Sequence, residues 1–303
     1  MLTLAEVLHD QRDLDRLCAD RTRPFSELYE QNELYGYAAI LKRVAGLPPQ
    51  RPVHMVIPHG VGLNGATQWD IGTPCPTVYS FQREYDDALS QGGNRVVIRG
   101  ASPLVHVAQA VPAHTGRHGT LFFPAHTIRT VHADVEYEPI AERLAGLPEH
   151  MRPVRICVYW ADYVKGLHLP FMQRGFQVVS AGHMWDPLFA WRLAQLISMH
   201  AIVASNEYGT HTAMAVHMGA AWLHMRTPIH YYADPGCETH MHGYDERVTQ
   251  TLDTLLDRSG PITSLEASCL MDDLLGAHRV LSPEALAVAL VSAERRHQLP
   301  RVA

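Results

Sequence analysis

Short apolar runs alternate with helix-like segments through most of the chain. Runs rich in β-branched and aromatic residues are typical of buried strands, and spacings of three and four between apolar residues are typical of helices. The predicted strands cover residues 53–57, 78–81, 95–99, 121–123, 154–159, 176–180, 201–204 and 220–223. The predicted helices cover residues 1–23, 27–45, 83–91, 140–147, 169–174, 187–200, 247–257, 264–275 and 283–297.

Alternation of strands with helices predicts an α/β fold in which parallel sheets are covered on both faces. The pattern restarts near the prolines at 148 and 153. We therefore predict two Rossmann-like domains, 1–150 and 151–303, with a cleft between them and helices at the C-terminus.

The stretch 201–219 is the most informative part of the sequence. An apolar run leads into the small and polar residues Ser205, Asn206, Gly209 and Thr210, and a helix-like run follows until Gly219. The first N–H groups of a helix lack partners inside it and attract negative charge, so this stretch predicts an anion site. Thr210 or Thr212 is expected to cap the helix. The alternative, a turn and a cap without a ligand, stays open.

Polar side chains follow several predicted strands at the point where each strand ends. They are His59, His126, Tyr159, His183, and Ser205 with Asn206. In open α/β sheets, ligands bind beyond the carboxyl ends of the strands. Their recurrence there predicts a single binding cleft and hence an enzyme.

Composition narrows the class of protein. The chain has 303 residues, 47% of them hydrophobic and 18% charged, and a formal net charge of −6. This is a globular composition, and it gives no indication of nucleic-acid binding. The N-terminus has acidic residues instead of a signal-peptide pattern, and no run reaches the length of a membrane span. Five widely spaced cysteines suit reduced thiols, so a cytoplasmic location is expected.

Several segments together resemble a known class of enzyme. They are the strand-ending HG turn at 59–60, FPAHT at 123–127, RICVYWADY at 155–163, GFQVVSAGH at 175–183 and SNEYGTHTAMAVHMG at 205–219. With these segments the chain is similar to bacterial GT-B-type glycosyltransferases that act in surface-polysaccharide or sialic-acid-like sugar transfer. The resemblance covers roughly residues 30–225.

The resemblance implies a transferase that moves a sugar from a nucleotide-sugar donor to an acceptor hydroxyl without metal or cofactor. It places the donor mainly on the second domain, with its phosphate on the turn and helix start at 205–212. Such chemistry needs a base for the acceptor proton and stabilisation of the leaving phosphate. His59 is the first candidate base and His126 the second, while a structural role remains open for each.

The remaining candidate residues are expected to bind the donor. Tyr159 would bind the nucleoside, and His183 would lie where a base or ribose passes. Glu207 would hold sugar or ribose hydroxyl groups. His211 would reach the phosphate, together with Ser205, Asn206, Gly209, Thr210 and Thr212.

Three alternatives stay open at this point. A sugar-nucleotide epimerase or hydrolase of the same architecture would use similar phosphate contacts. A metal-dependent hydrolase could use the loop at 230–242, whose metal-ligand side chains are His230, Asp234, Cys237, Glu238, His240 and His242. A non-catalytic sugar-binding or interaction protein is the third. The C-terminal helices either return to the first domain or form a homodimer.

Overall fold

A computed structural model describes residues 13–61, 68–82, 86, 95–127, 131–235 and 260–298. Its strands, in chain order, are Thr77–Ser80 (β1), Val96–Arg99 (β2), Thr120–Phe123 (β3), Val131–Asp134 (β4), Val154–Cys157 (β5), Gln177–Val179 (β6), Ile202–Ser205 (β7), Ala221–His224 (β8) and His230–Ala233 (β9). Its α-helices are Leu14–Cys18 (α1), Glu30–Glu33 (α2), Tyr37–Val44 (α3), Gln68–Gly72 (α4), Pro103–Ala110 (α5), Tyr137–Ala145 (α6), Trp160–Val164 (α7), Leu169–Gln173 (α8), Phe189–Met199 (α9), Thr210–His217 (α10), Leu265–Leu275 (α11) and Pro283–Gln298 (α12).

Five parallel strands form the main sheet, in the order β6-β5-β3-β7-β8. The chain starts at the centre with β3, adds β5 and β6 on one side, and then adds β7 and β8 on the other. This is the doubly wound order of a Rossmann-type sheet, and its direction of winding reverses between β3 and β7. The predicted α/β class with a parallel sheet is confirmed.

The alternation of side chains along the strands divides the core between the two faces of this sheet. In β3, Leu121 and Phe123 belong to one buried cluster and Phe122 to the other. Val203 of β7 likewise faces the first cluster, and Ala204 faces the second. Because both faces are covered, the strands are apolar at most positions. This is why continuous apolar runs in the sequence predicted them well.

The N-terminal half contributes a smaller parallel unit. β1 pairs with β2, and Val56 forms a single parallel bridge to Val78. The predicted strand at 53–57 is therefore joined to the β1–β2 pair by a single bridge only. Its residues share the first buried cluster with Trp222 and with Leu290 of α12.

The predicted domain boundary at residue 150 falls within the main sheet. Strand β3 precedes that boundary, yet it pairs with β5 on one side and β7 on the other. The first buried cluster also runs from Tyr37 to Ala293. The restart of the pattern near Pro153 therefore marks the second strand of a sheet whose first strand lies earlier in the chain.

Two features differ from the predicted elements because contacts between distant parts of the chain override the local pattern. The predicted helix at 27–45 is interrupted at Leu34–Gly36, where Tyr35 and Gly36 have positive φ angles of 57° and 76°. The antiparallel pair β4–β9 uses residues 230–233, which the sequence suggested as loop. Of the predicted helices, residues 1–12, 83–85, 87–91 and 247–257 lie outside the described residues.

Capping residues fix two of the helix ends. Ser102 accepts a hydrogen bond from the Leu104 amide and precedes Pro103 at the first turn of α5. At the end of α11, Gly276 adopts a left-handed φ of 59°, and a Cβ there would lie 2.2 Å from the Phe81 carbonyl oxygen. Gly276 therefore ties the C-terminal helices to the N-terminal half. Among the described helices, none combines the length and apolar character that a membrane crossing requires.

Candidate active site

A cavity of about 350 Å³ lies at the carboxyl edge of the main sheet. One wall comes from the residues that follow β3, β5, β6 and β7, and the other comes from segments 35–37 and 59–61 with Leu104, Phe189 and Leu193. The reversal of winding between β3 and β7 opens a crevice here, because the connections from these two strands leave in opposite directions. Residues from both halves of the chain line this cavity.

The start of α10 forms part of the cavity wall. Gly209, Thr210 and His211 all line the cavity. The helix makes its first backbone bonds at Thr212 and Ala213, whose amides donate to the Gly209 carbonyl at 2.9 and 3.3 Å. The amides of Thr210 and His211 therefore have no acceptor inside the helix and can serve an anion.

Among the described residues, no side chain caps α10, so the predicted cap by Thr210 or Thr212 is wrong. Gly209 holds the cap position with extended backbone angles. Thr210 Oγ1 instead accepts a hydrogen bond from the Val61 amide at 2.9 Å. This bond joins the helix start to the turn that carries His59.

His211 has a preorganised imidazole. Its ring stacks on Phe123 with centroids 4.4 Å apart and an interplanar angle of 20°. Its Nε2 atom is buried and has no hydrogen-bond partner among the described residues. Burial lowers the pKa of His211 to about 3, so the ring is neutral at physiological pH. A Cβ on Gly209 would lie 2.8 Å from His211 Cε1, so glycine there leaves room for the ring.

His59 lines the cavity and pairs with a carboxylate that the sequence analysis missed. Its Nδ1 atom lies 3.7 Å from Oδ1 of Asp70, whose side chain is 0% exposed. The neighbouring Trp69 packs edge-on against the imidazole, with ring centroids 5.0 Å apart. Helix α4 therefore contacts His59 through two adjacent side chains.

His126 lines the cavity from the loop after β3. Its ring contacts that of Tyr159 at a centroid distance of 4.7 Å. The buried carboxylate of Asp162 lies within electrostatic range and accepts a hydrogen bond from the Thr127 amide at 3.2 Å. Burial raises the pKa of Asp162, and attraction to His126 partly opposes that rise.

Tyr159 forms an aromatic wall with residues that sequence reasoning did not single out. Tyr35, Tyr208 and Phe189 line the same cavity. Burial raises the pKa of the Tyr159 phenol well above its usual value, so the hydroxyl group stays protonated. No local pattern distinguishes Tyr35 or Tyr208 from ordinary core aromatics, and only the tertiary fold brings them here.

Five of the predicted donor-binding side chains do not line the cavity within the described part of the chain. His183 is fully buried against Trp160, with centroids 4.0 Å apart, and burial lowers its pKa to about 4. Ser205 Oγ accepts from Trp222 Nε1 at 3.2 Å, and Asn206 Oδ1 accepts from the Ala125 amide at 2.6 Å. These side chains hold the strand ends together. Thr212 is fully buried, and Glu207 is partly exposed outside the cavity.

The proposed metal-ligand loop is described only in part. Asp234 pairs with His132, with Oδ1 and Nε2 2.8 Å apart. His230 pairs across the β4–β9 ladder with Asp134. Cys237, Glu238, His240 and His242 lie outside the described residues. Among residues that are described, no group of three His, Cys, Asp or Glu side chains could hold a metal ion.

Comparison with known proteins gives no matching family model and no significantly similar curated sequence. The site's geometry and chemistry therefore carry the functional argument.

Proposed function

We propose that this protein is a metal-independent glycosyltransferase that moves a sugar from a nucleotide-sugar donor to an acceptor hydroxyl group. The observation that carries the proposal is the meeting, in one cavity, of the open start of α10 with His59 and His126. The helix start suits a leaving phosphate, and the two histidines suit proton transfer. Crevices at a switch of winding are the usual ligand sites of such sheets.

The donor phosphate would lie against the start of α10. The amides of Thr210 and His211 would donate hydrogen bonds to its oxygens, and the helix dipole would favour its negative charge. The neutral ring of His211 would add one further donor from the tautomer that carries the proton on Nε2. These donors stabilise the charge that develops on the phosphate as the bond to the sugar breaks.

His59 would act as the base. The acceptor oxygen attacks the anomeric carbon, the bond from that carbon to the phosphate oxygen breaks, and the acceptor proton passes to Nε2 of His59. Asp70 would stabilise the imidazolium that results, because its buried carboxylate faces the other ring nitrogen. His126 would donate a hydrogen bond or proton to an oxygen of the departing phosphate.

The two walls of the cavity suggest how the substrates would be divided. The donor would lie on the loops that follow β3 and β7, and the acceptor would enter along segments 35–37 and 59–61. We propose a GT-B-like division of labour on this basis, with the N-terminal segments serving the acceptor. The cavity volume of about 350 Å³ is near the lower end of the range for small-molecule sites, about 300–1,000 Å³.

The test is release of nucleotide from a panel of nucleotide sugars, with and without a panel of sugar acceptors, in EDTA. The proposal predicts release that depends on an acceptor and survives the chelator. Release of nucleotide without an acceptor would instead support the hydrolase. Conversion of the donor sugar into another sugar would support the epimerase. Loss of turnover in EDTA with recovery on adding zinc would support the metal-dependent alternative. No conversion of any donor would contradict the proposal.

A further inference from the structure

Trp69 is a large apolar side chain that the fold leaves in contact with solvent. It is 40% exposed, whereas its neighbour Asp70 is completely buried. A single exposed apolar residue is ordinary on a protein surface, and it becomes informative only through the groups that lie beside it.

The group beside Trp69 is the imidazole of His59. The two ring centroids are 5.0 Å apart, and the ring planes are inclined at 65°. His59 lines the cavity, and its side chain is 28% exposed. Trp69 itself is not among the described residues that line the cavity. The indole therefore extends the surface of the site beyond the cavity, directly next to the proposed base.

Hydrogen bonds from other parts of the chain fix the backbone that carries Trp69. Gln31 Nε2 donates to the Trp69 carbonyl at 3.3 Å and to Thr73 Oγ1 at 2.8 Å. The Thr73 hydroxyl group donates to the same carbonyl at 2.7 Å, and Arg95 donates to the Thr73 carbonyl at 2.8 Å. An anchored backbone lowers the entropy cost of binding, because less of the surface has to be ordered by the ligand.

We infer that Trp69 is a binding platform for a sugar ring of the acceptor, whose C–H face covers the indole while one hydroxyl group points at His59. This inference rests on the proposed transferase function, because it assigns the acceptor side of that reaction. A pyranose ring has an apolar C–H face and polar hydroxyl edges. The indole and the imidazole present the same two characters side by side, one for apolar contact and one for hydrogen bonding.

A matched control exists on β9. Tyr232 is 51% exposed, and its ring stacks on His132 at the same centroid distance of 5.0 Å. His132 also pairs with an aspartate, Asp234, at 2.8 Å. Neither Tyr232 nor His132 is among the described residues that line the cavity. Tyr232→Leu thus removes an exposed aromatic ring from a similar surroundings outside the proposed site.

The first experiment is saturation-transfer NMR with the methyl glycosides of glucose, galactose and N-acetylglucosamine, without donor. We expect transfer to the ring C–H protons of at least one glycoside in wild type and in Tyr232→Leu. Trp69→Leu should bind that glycoside on the order of 10-fold more weakly, because the apolar contact with the indole is lost. Trp69→Phe keeps a smaller flat face, so its affinity should lie between those of wild type and Trp69→Leu. No transfer in wild type, or equal affinity in all variants, would overturn the inference.

The second experiment separates a platform from a mere support of the His59 ring. Loss of a contact made equally in the ground state and the transition state raises KM and leaves kcat unchanged. We therefore expect Trp69→Leu to raise the acceptor KM on the order of 10-fold, with kcat within about two-fold of wild type. A fall in kcat at unchanged acceptor KM would overturn the inference. Absence of turnover in wild type would contradict the proposed function, while the NMR result would still decide whether Trp69 binds a sugar.

Discussion

Oδ1 of Asp70 lies 3.7 Å from Nδ1 of His59, and the aspartate is completely buried while the histidine opens onto the cavity. A carboxylate in this position favours the tautomer with the proton on Nδ1, which leaves Nε2 free to accept a proton. In the proposed reaction it would also stabilise the imidazolium that forms. The general-base role that we propose for His59 would thus depend on a residue eleven positions later in the sequence.

Replacing Asp70 by asparagine should lower kcat on the order of 10-fold or more, because the amide can hold the wrong tautomer and cannot stabilise the imidazolium. His59→Ala should cost about 10²–10⁴-fold, the usual contribution of a general base. Steady-state nucleotide release measures both effects.

A matched control exists in the pair His217 and Asp272, whose Nδ1 and Oδ1 atoms are 2.6 Å apart but which do not line the cavity. Asp272→Asn should leave kcat within about two-fold of wild type, since its effect would have to act at a distance. Equal losses in the two asparagine variants would show that Asp70 supports the fold instead of His59.

Stability should fall in weak acid because of buried histidines. Burial lowers the pKa of His200 to about 4; its Nδ1 lies 2.6 Å from the Leu196 carbonyl oxygen, and its Nε2 accepts from Arg155 at 3.1 Å. Below its usual pKa of about 6.5 the unfolded chain binds a proton that the folded protein does not. The contribution of His200 is therefore complete above pH ~6.5 and is lost as the pH falls toward ~4, by about 2 kcal/mol at pH 5.

Urea unfolding at pH 7 and pH 5 tests this dependence. His200→Gln can keep one donor and one acceptor but does not titrate, so the loss of stability between the two pH values should be smaller than in wild type. His278→Gln, at a side chain that is 59% exposed, should leave that difference unchanged. The expectation fails if the His200 variant loses as much stability between pH 7 and pH 5 as wild type.

A buried ion pair anchors the segment that leads to His59. Lys42 Nζ lies 2.6 Å from Glu27 Oε1, and Glu27 Oε2 accepts from the Val53 amide at 2.7 Å. Lys42→Met would leave the glutamate buried without its cation, so we expect a loss of about 3–5 kcal/mol in the free energy of unfolding. Arg16→Met breaks an exposed pair with Asp13 and should cost less than about 1 kcal/mol. Comparable losses in the two variants in urea unfolding would contradict this account.

Hydrophobic patterning was sufficient to predict the strands of the main sheet. Local turn chemistry was sufficient to predict a helix start near Gly209 and Thr210, although the predicted threonine cap was wrong. Patterning could not show that β3 belongs with β5 and β7, because strand order depends on contacts far apart in sequence. A polar residue after a strand also faces either the cavity or the interior. His59 and His126 face the cavity, whereas His183 is enclosed by Trp160.

Asp70 and Tyr35 were beyond sequence reasoning for different physical reasons. Asp70 lies in a helix of five residues with no periodic signal, and its place in the site comes from its contact with His59. Tyr35 interrupts what reads as one continuous helix, since its left-handed conformation is imposed by the loop at 184–187. Both features depend on tertiary contacts that form only when the chain is folded.

The central claim is that an anionic group of a small molecule binds at the start of α10, and its most direct test is calorimetric titration with a panel of nucleoside mono- and diphosphates. Thr210→Val removes the acceptor of the Val61 amide, and Thr210→Ser keeps it. The account predicts that nucleotide binds to wild type and to Thr210→Ser. In Thr210→Val the affinity for nucleotide should be about 5–10-fold lower, which corresponds to the loss of one hydrogen bond of about 1 kcal/mol or slightly more. Absence of binding to the wild-type protein, or equal affinity in all three proteins, would contradict it.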